Sequence, residues 1–250
     1  MNRQYHKWHS SSLNREMELL VFGHSGARVI VFPTSCGRFY DWENREMLTT
    51  LQDQIEQGWI QVFCVDGVDA ESWWNMAIEP KDRALRHLQY HKYVIDEVLP
   101  WTKKMNDNDF VIALGASMGA YHAMNLTLRF PESFNRCLAM SGPYDFKQMS
   151  APYNVFNWIF DYDDANVLQC NPVPLVASLP AAQIEKLKKV ELIFPIGRTD
   201  PLFEGSRLLS EALTAKNVPH SFIPWDGFAH DWPYWQQMIL LYLSGDPALV

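Results

Sequence analysis

The apolar run Phe110-Val111-Ile112-Ala113-Leu114 empties directly into Gly115-Ala116-Ser117-Met118-Gly119, and the helix-like run Ala120-Tyr121-His122-Ala123-Met124-Asn125-Leu126 follows at once. A strand that passes straight into a helix must reverse sharply, which holds the central serine in a strained conformation with its hydroxyl exposed. Side chains two positions to either side of Ser117 would collide with the neighbouring strand and helix, and glycine at 115 and 119 removes them. Ser117 is therefore a candidate nucleophile.

A nucleophilic serine needs a base, and the base needs an orienting acid. The apolar run Val190-Glu191-Leu192-Ile193-Phe194-Pro195-Ile196 reads as a buried strand and ends in the turn-rich Gly197-Arg198-Thr199-Asp200-Pro201. A second run, His220-Ser221-Phe222-Ile223-Pro224-Trp225, ends in Asp226-Gly227-Phe228-Ala229-His230, with a helical pattern after it. Asp200 and His230 each stand at a strand exit, which makes them the candidate acid and base. Asp226 competes with Asp200 but lies only four residues before the histidine.

These motifs resemble those of α/β-hydrolases, and within them the esterase D-like esterases, which include S-formylglutathione hydrolases, feruloyl esterases and mycolyltransferases. The resemblance covers roughly residues 27–244. It rests on Gly115 to Gly119, the loop around Asp200, the stretch Gly227-Phe228-Ala229-His230-Asp231-Trp232-Pro233-Tyr234-Trp235, and Asp66-Gly67 followed by Ser72-Trp73-Trp74. It implies an α/β fold with a mostly parallel central sheet and helices on both faces. Serine, acid and histidine follow in that family's chain order, and family acids come from the preceding strand's loop, which favours Asp200 over Asp226. The implied activity is that of a serine esterase cleaving a carboxylic ester or thioester through an acyl-enzyme. An acyltransferase with the same triad, or a non-catalytic binding member of the fold, is the alternative.

One segment departs from the family pattern. Where relatives often carry histidine-glycine after the strand that supplies part of the oxyanion hole, this chain has Pro33-Thr34-Ser35-Cys36-Gly37-Arg38. The expected donors are the backbone N–H of Met118 and one from Ser35 or Cys36.

Composition bounds the remaining possibilities. The 250 residues fit one α/β domain, 1–250, with a substantial core. Lys plus Arg number 21 against 29 Asp plus Glu, and the net charge of −8 argues against nucleic acid or an anionic membrane surface as partner. Cys36, Cys64, Cys137 and Cys170 form no C-x-x-C pair and show no metal-ligand spacing. The amino terminus lacks an apolar signal core, and nothing approaches the ~18 consecutive apolar residues of a membrane span. The expectation is a cytoplasmic enzyme with a small-molecule substrate and neither metal nor organic cofactor. A homo-oligomer is compatible with the sequence.

Along the chain, strand and helix patterns alternate. Residues 18–22 and 28–32 read as antiparallel strands joined by Gly23-His24-Ser25-Gly26, and residues 41–58 as one helix stopped by Gly58. Residues 61–65 and 136–140 read as strands, and 81–104 as a helix burying Leu85, Leu88, Val94, Ile95 and Val98. The segment 143–189 exceeds an ordinary connection and carries Phe156, Trp158, Phe160 and Tyr162, the pattern of a cap or pocket wall. Trp73, Trp74 and Trp158 are the expected pocket-lining residues. His122, five residues after Ser117, reads as a packed or surface histidine. His87 and His91 stand at i, i+4 on a helix without a third ligand between them, so a solvent-facing pair is expected.

Overall fold

Strands whose residues are buried at every position, rather than at alternate ones, need cover on both faces and read as near-continuous apolar runs. Ile60–Val65 and Val111–Ala116 are buried at every position and Ala27–Phe32 at every position after its first, with Gln61 and Arg28 as the buried polar residues among them. A computed structural model, which describes residues 1–148 and 164–243, places all three at the centre of one sheet. The strands are β1 (Arg3–Ser10), β2 (Arg15–Phe22), β3 (Ala27–Phe32), β4 (Ile60–Val65), β5 (Val111–Ala116), β6 (Arg136–Met140), β7 (Glu191–Gly197) and β8 (Ser221–Trp225). Their order across the sheet is β1-β2-β4-β3-β5-β6-β7-β8. β1 and β2 pair antiparallel, as do β2 and β4, and every later pair is parallel. This is the α/β-hydrolase architecture that the sequence resemblance implies.

The period of two along each strand divides the core into two layers. Ile30, Phe32, Phe63, Val65 and Ala113 face one layer, beneath the helices Pro80–Tyr93 and Met118–Arg129. Val29, Val31, Val62, Cys64, Ile112 and Leu114 face the other, beneath the short helices of residues 41–56 and the helix Trp232–Leu243. The four cysteines are free; Cys64, Cys137 and Cys170 are buried and Cys36 is exposed. Among the described residues, no helix is long and apolar enough to cross a membrane.

Several local expectations are corrected. The strands on either side of Gly23–Gly26 do not form a hairpin, because β4 inserts between β2 and β3 and pairs with both. The helix expected over residues 41–58 is three pieces, Asp41–Asn44, Met47–Thr50 and Gln52–Glu56, interrupted where Glu46 takes φ 60°. The helix expected over 81–104 runs through one π-helical turn at Val94–Val98 into Leu99–Met105, and Leu85 is exposed rather than buried. β1 was not expected. Its exposed and half-buried positions alternate, so it lacks the apolar run that marks the inner strands.

Of the segment 143–189, residues 164–189 form the short helices Ala165–Gln169, Pro172–Ser178 and Ala181–Leu187. Leu175, Val176, Ile184 and Leu187 join the first core layer, and Val167 and Cys170 pack with Tyr121 and Trp73. This part is built into the body of the domain. Phe156, Trp158, Phe160 and Tyr162 lie outside the described residues.

Candidate active site

At the end of β5 the backbone of Ser117 takes φ 54°, ψ −122°, a conformation rare for any residue with a side chain, and the helix Met118–Arg129 starts at the next residue. Its N–H donates to the Met140 carbonyl at 2.9 Å, which ties the turn to β6. Both flanking glycines are required by space. A Cβ on Gly115 would lie 2.2 Å from the Gly119 backbone, and one on Gly119 would lie 2.4 Å from the Phe32 carbonyl oxygen. The start of the helix is thus pressed between β5 and the end of β3. The Met118 N–H, in the first turn, has no intrahelical acceptor and points out of the helix start.

Asp200 follows β7 and is 4 % exposed. Its N–H donates to the Gly197 carbonyl at 3.1 Å, and its Oδ1 accepts the Leu202 N–H at 2.9 Å. Its Oδ2 faces His230 Nδ1 at 2.7 Å, and His230 Nε2 lies 3.1 Å from Ser117 Oγ. A carboxylate accepts only, so Nδ1 carries the proton and the Nε2 lone pair faces the serine hydroxyl. Residues 117, 200 and 230, far apart in sequence, therefore form one continuous hydrogen-bonded chain. Asp226 points into solvent with Arg198 at 3.7 Å and takes no part in that chain.

The histidine loop is held on several sides. The Thr199 N–H donates to the Gly227 carbonyl at 3.0 Å, and the Phe228 backbone sits so close to Gly197 that a Cβ there would lie 2.1 Å from its carbonyl oxygen. Ala229, at φ 42°, turns the chain into His230. Its carbonyl accepts from Ser141 Oγ at 3.4 Å, and the same hydroxyl accepts the Trp235 indole N–H at 3.2 Å. Trp235 also packs edge-on against the His230 ring. Ser141, buried at φ 54° after β6, is a residue that the sequence did not single out. Its one visible signal is a small polar residue before Gly142-Pro143 at a strand exit.

In the loop after β3, the Ser35 and Cys36 N–H groups differ in their partners. Asp41 Oδ2 accepts both the Thr34 N–H at 2.9 Å and the Thr34 hydroxyl at 2.8 Å. The Cys36 N–H, one of the two candidate donors expected here, is engaged by Asp69 Oδ2 at 3.2 Å. Between them, the Ser35 N–H has no partner among the described residues. Cys36 itself takes φ 55°, and the Gly37 N–H closes the turn on the Thr34 carbonyl at 2.8 Å.

The expected pocket tryptophans separate. Trp73 is fully buried behind the serine turn, in one cluster with Met118, Tyr121, Phe146 and Ile196, so it supports the wall and exposes no face to a ligand. Trp74 is half-buried against the same cluster, and Trp158 lies outside the described residues. His87 and His91 are not solvent-facing. Both are buried, and His122 comes from the neighbouring helix to bring three imidazoles together, with one nitrogen of each within 4.8 Å of the others. Burial, reinforced by neighbouring positive charge, pushes the His87 and His91 pKa values well below the ordinary histidine range.

The donor set does not fit a divalent metal. Arg129 Nη1 donates to His91 Nδ1 at 2.6 Å, so the proton of this neutral ring sits on Nε2 and its inward nitrogen offers no lone pair. The guanidinium would in addition stand beside the cation. His87 Nδ1, His91 Nε2 and His122 Nδ1 have no hydrogen-bond partner among the described residues. Two acceptors and one donor at such spacing suit a buried water making about three hydrogen bonds.

A profile of the family described as "Putative esterase" matches residues 10–242. Solved structures with similar folds include a ferulic acid esterase, 16% identical, with TM-score 0.73 over 100% of this chain and 99% of the other. The S-formylglutathione hydrolase of Agrobacterium tumefaciens is 17% identical, with TM-score 0.73 over 97% and 93%. The fluorophosphonate-binding serine hydrolase F of Staphylococcus aureus is 19% identical, with TM-score 0.65 over 95% of each chain. Among curated proteins, no sequence match is found.

Proposed function

Because the chain belongs to the family described as "Putative esterase", we propose that it is a serine esterase in which Ser117, His230 and Asp200 cleave a carboxylic ester or thioester through an acyl-enzyme. The observation that carries this reading is the unbroken chain from the Asp200 carboxylate through both nitrogens of His230 to the Ser117 hydroxyl. His230 Nε2 takes the hydroxyl proton as Ser117 Oγ attacks the acyl carbon. The negative charge that develops on the carbonyl oxygen is met by the Met118 N–H and the Ser35 N–H. Collapse of the tetrahedral intermediate breaks the bond to the alcohol or thiol, which leaves with the proton from His230. Water then enters and gives a proton to the same nitrogen as its oxygen adds to the acyl carbon. The bond to Ser117 Oγ breaks as His230 returns the proton to Oγ, releasing the carboxylic acid. Asp200 keeps the imidazole in the required tautomer and stabilises the imidazolium.

A fluorophosphonate probe tests the reading, since it reacts only with an activated serine. Wild-type protein is expected to label and to hydrolyse p-nitrophenyl esters, and an unlabelled, well-folded protein would refute the proposal. Feruloyl esters and formyl thioesters, run beside p-nitrophenyl esters of rising chain length, distinguish the acyl and leaving groups accepted.

The loop after β3 makes a further prediction. Cys36→Ala is expected to keep most of the activity, because the side chain is exposed and the loop is held through backbone N–H groups. Gly37→Val is expected to lower kcat by roughly 100- to 1000-fold, the usual effect of losing one oxyanion donor. A Cβ at 37 would lie 2.9 Å from both the Thr34 carbonyl oxygen and Asp41 Oδ2, the group that anchors Thr34, so the whole turn must move. An inactive Cys36→Ala beside a normal Gly37→Val would reverse the assignment.

A further inference from the structure

We infer that Asp69, gripped by His122, is a positioning residue that fixes the spacing between the two oxyanion donors; the inference rests on the esterase reading above. Asp69 sits in the short turn after β4 and is 2 % exposed. One carboxylate oxygen, Oδ1, faces His122 Nε2 at 2.8 Å, and the other, Oδ2, accepts the Cys36 N–H at 3.2 Å. His122 is one helical turn beyond Met118 on the helix that Ser117 initiates, and Cys36 is the neighbour of Ser35. The carboxylate therefore bridges the element that carries one donor and the loop that carries the other. The Gly37–Thr34 hydrogen bond closes the turn on itself, whereas the Asp69 carboxylate ties it to the helix.

The energetics favour such a role over simple stabilisation. Burying a carboxylate beside an imidazole costs as much in desolvation as the contact returns, so a buried pair of this kind adds little net stability while breaking it is costly. What it supplies is a fixed geometry. His122 is itself walled in by the rings of Phe32, Tyr90, His87 and Tyr121, which leave it no other orientation toward the loop. Oxyanion stabilisation depends on donors that stand in place before charge develops, and a loop displaced by about 1 Å is enough to lose much of it.

Hydrolysis of a p-nitrophenyl ester by Asp69→Ala, Asp69→Asn and His122→Phe, each checked for folding by circular dichroism and thermal melting, tests the inference. Asp69→Ala is expected to lower kcat by about 100-fold, with KM within a few-fold of wild type, because the contact acts in the transition state. Asp69→Asn is expected to recover most of that loss. Its carbonyl oxygen can take the Cys36 N–H while its amide donates to His122 Nε2, since the unpartnered His122 Nδ1 is free to hold the ring proton instead. His122→Phe keeps the ring volume but releases the carboxylate, and a kcat loss of about 10-fold is expected; combined with Asp69→Ala it adds nothing, because both act through one bridge. Wild-type kcat in a folded Asp69→Ala, a loss confined to KM, or additive losses in the double variant would overturn the inference. If Asp69→Ala does not fold, His122→Phe decides, and unchanged turnover there overturns it. Fluorophosphonate labelling of wild type separates the two levels, since failure to label refutes the esterase reading itself.

Discussion

Asp200→Asn is expected to lower turnover by about 10,000-fold, by analogy with the wrong-tautomer effect in serine proteases. The structure supplies the reason. The Leu202 N–H points at Oδ1, so an asparagine must keep its carbonyl oxygen there and turn its amide toward His230 Nδ1. The ring must then accept at Nδ1 and hold its proton on Nε2, which presents an N–H to Ser117 Oγ and leaves no base. Asp226→Asn, by contrast, is expected to leave kcat/KM close to wild type, because that side chain stands in solvent beside Arg198. Steady-state kinetics on a p-nitrophenyl ester measure both. The opposite ranking would move the acid to Asp226.

Ser117→Ala is expected to lower activity by at least about 1000-fold and to abolish fluorophosphonate labelling, since triad members act as a unit. The fold should survive. The turn is held by the Ser117 N–H to Met140 and by the packing of Gly119 against β3, neither of which uses the hydroxyl, and alanine bears the same Cβ at φ 54° as serine does. Wild-type-like turnover in a well-folded variant would rule out the serine mechanism.

What the sequence revealed follows from which signals are local. The inner strands announce themselves because burial on both faces demands near-continuous apolar runs, and the serine turn because only glycine fits at 115 and 119. The residues at 200 and 230 were legible because each closes a strand whose exit is marked by turn chemistry. The partners of β2 were not, since whether β4 comes between two consecutive strands is decided by packing far along the chain. Nor was the inward turn of His87 and His91. Histidines at helical spacing look polar until Asn125, Tyr121 and Arg129 supply their hydrogen bonds from another helix. Asp69 was silent for the same reason, because its two partners lie 33 residues before it and 53 after.

The position of β8 at the border of the sheet bears on how the site fails. Ser117 is carried by a strand with neighbours on both sides, whereas the strand before His230 has β7 alone as neighbour and is only half-buried. Local opening concentrates where backbone ladders are single and apolar cover is thin. The amides of β8 should therefore exchange with solvent hydrogen sooner than those of β5. Under mild denaturant, His230 would leave Ser117 while most of the sheet remained intact, and activity is expected to be lost before the circular dichroism changes.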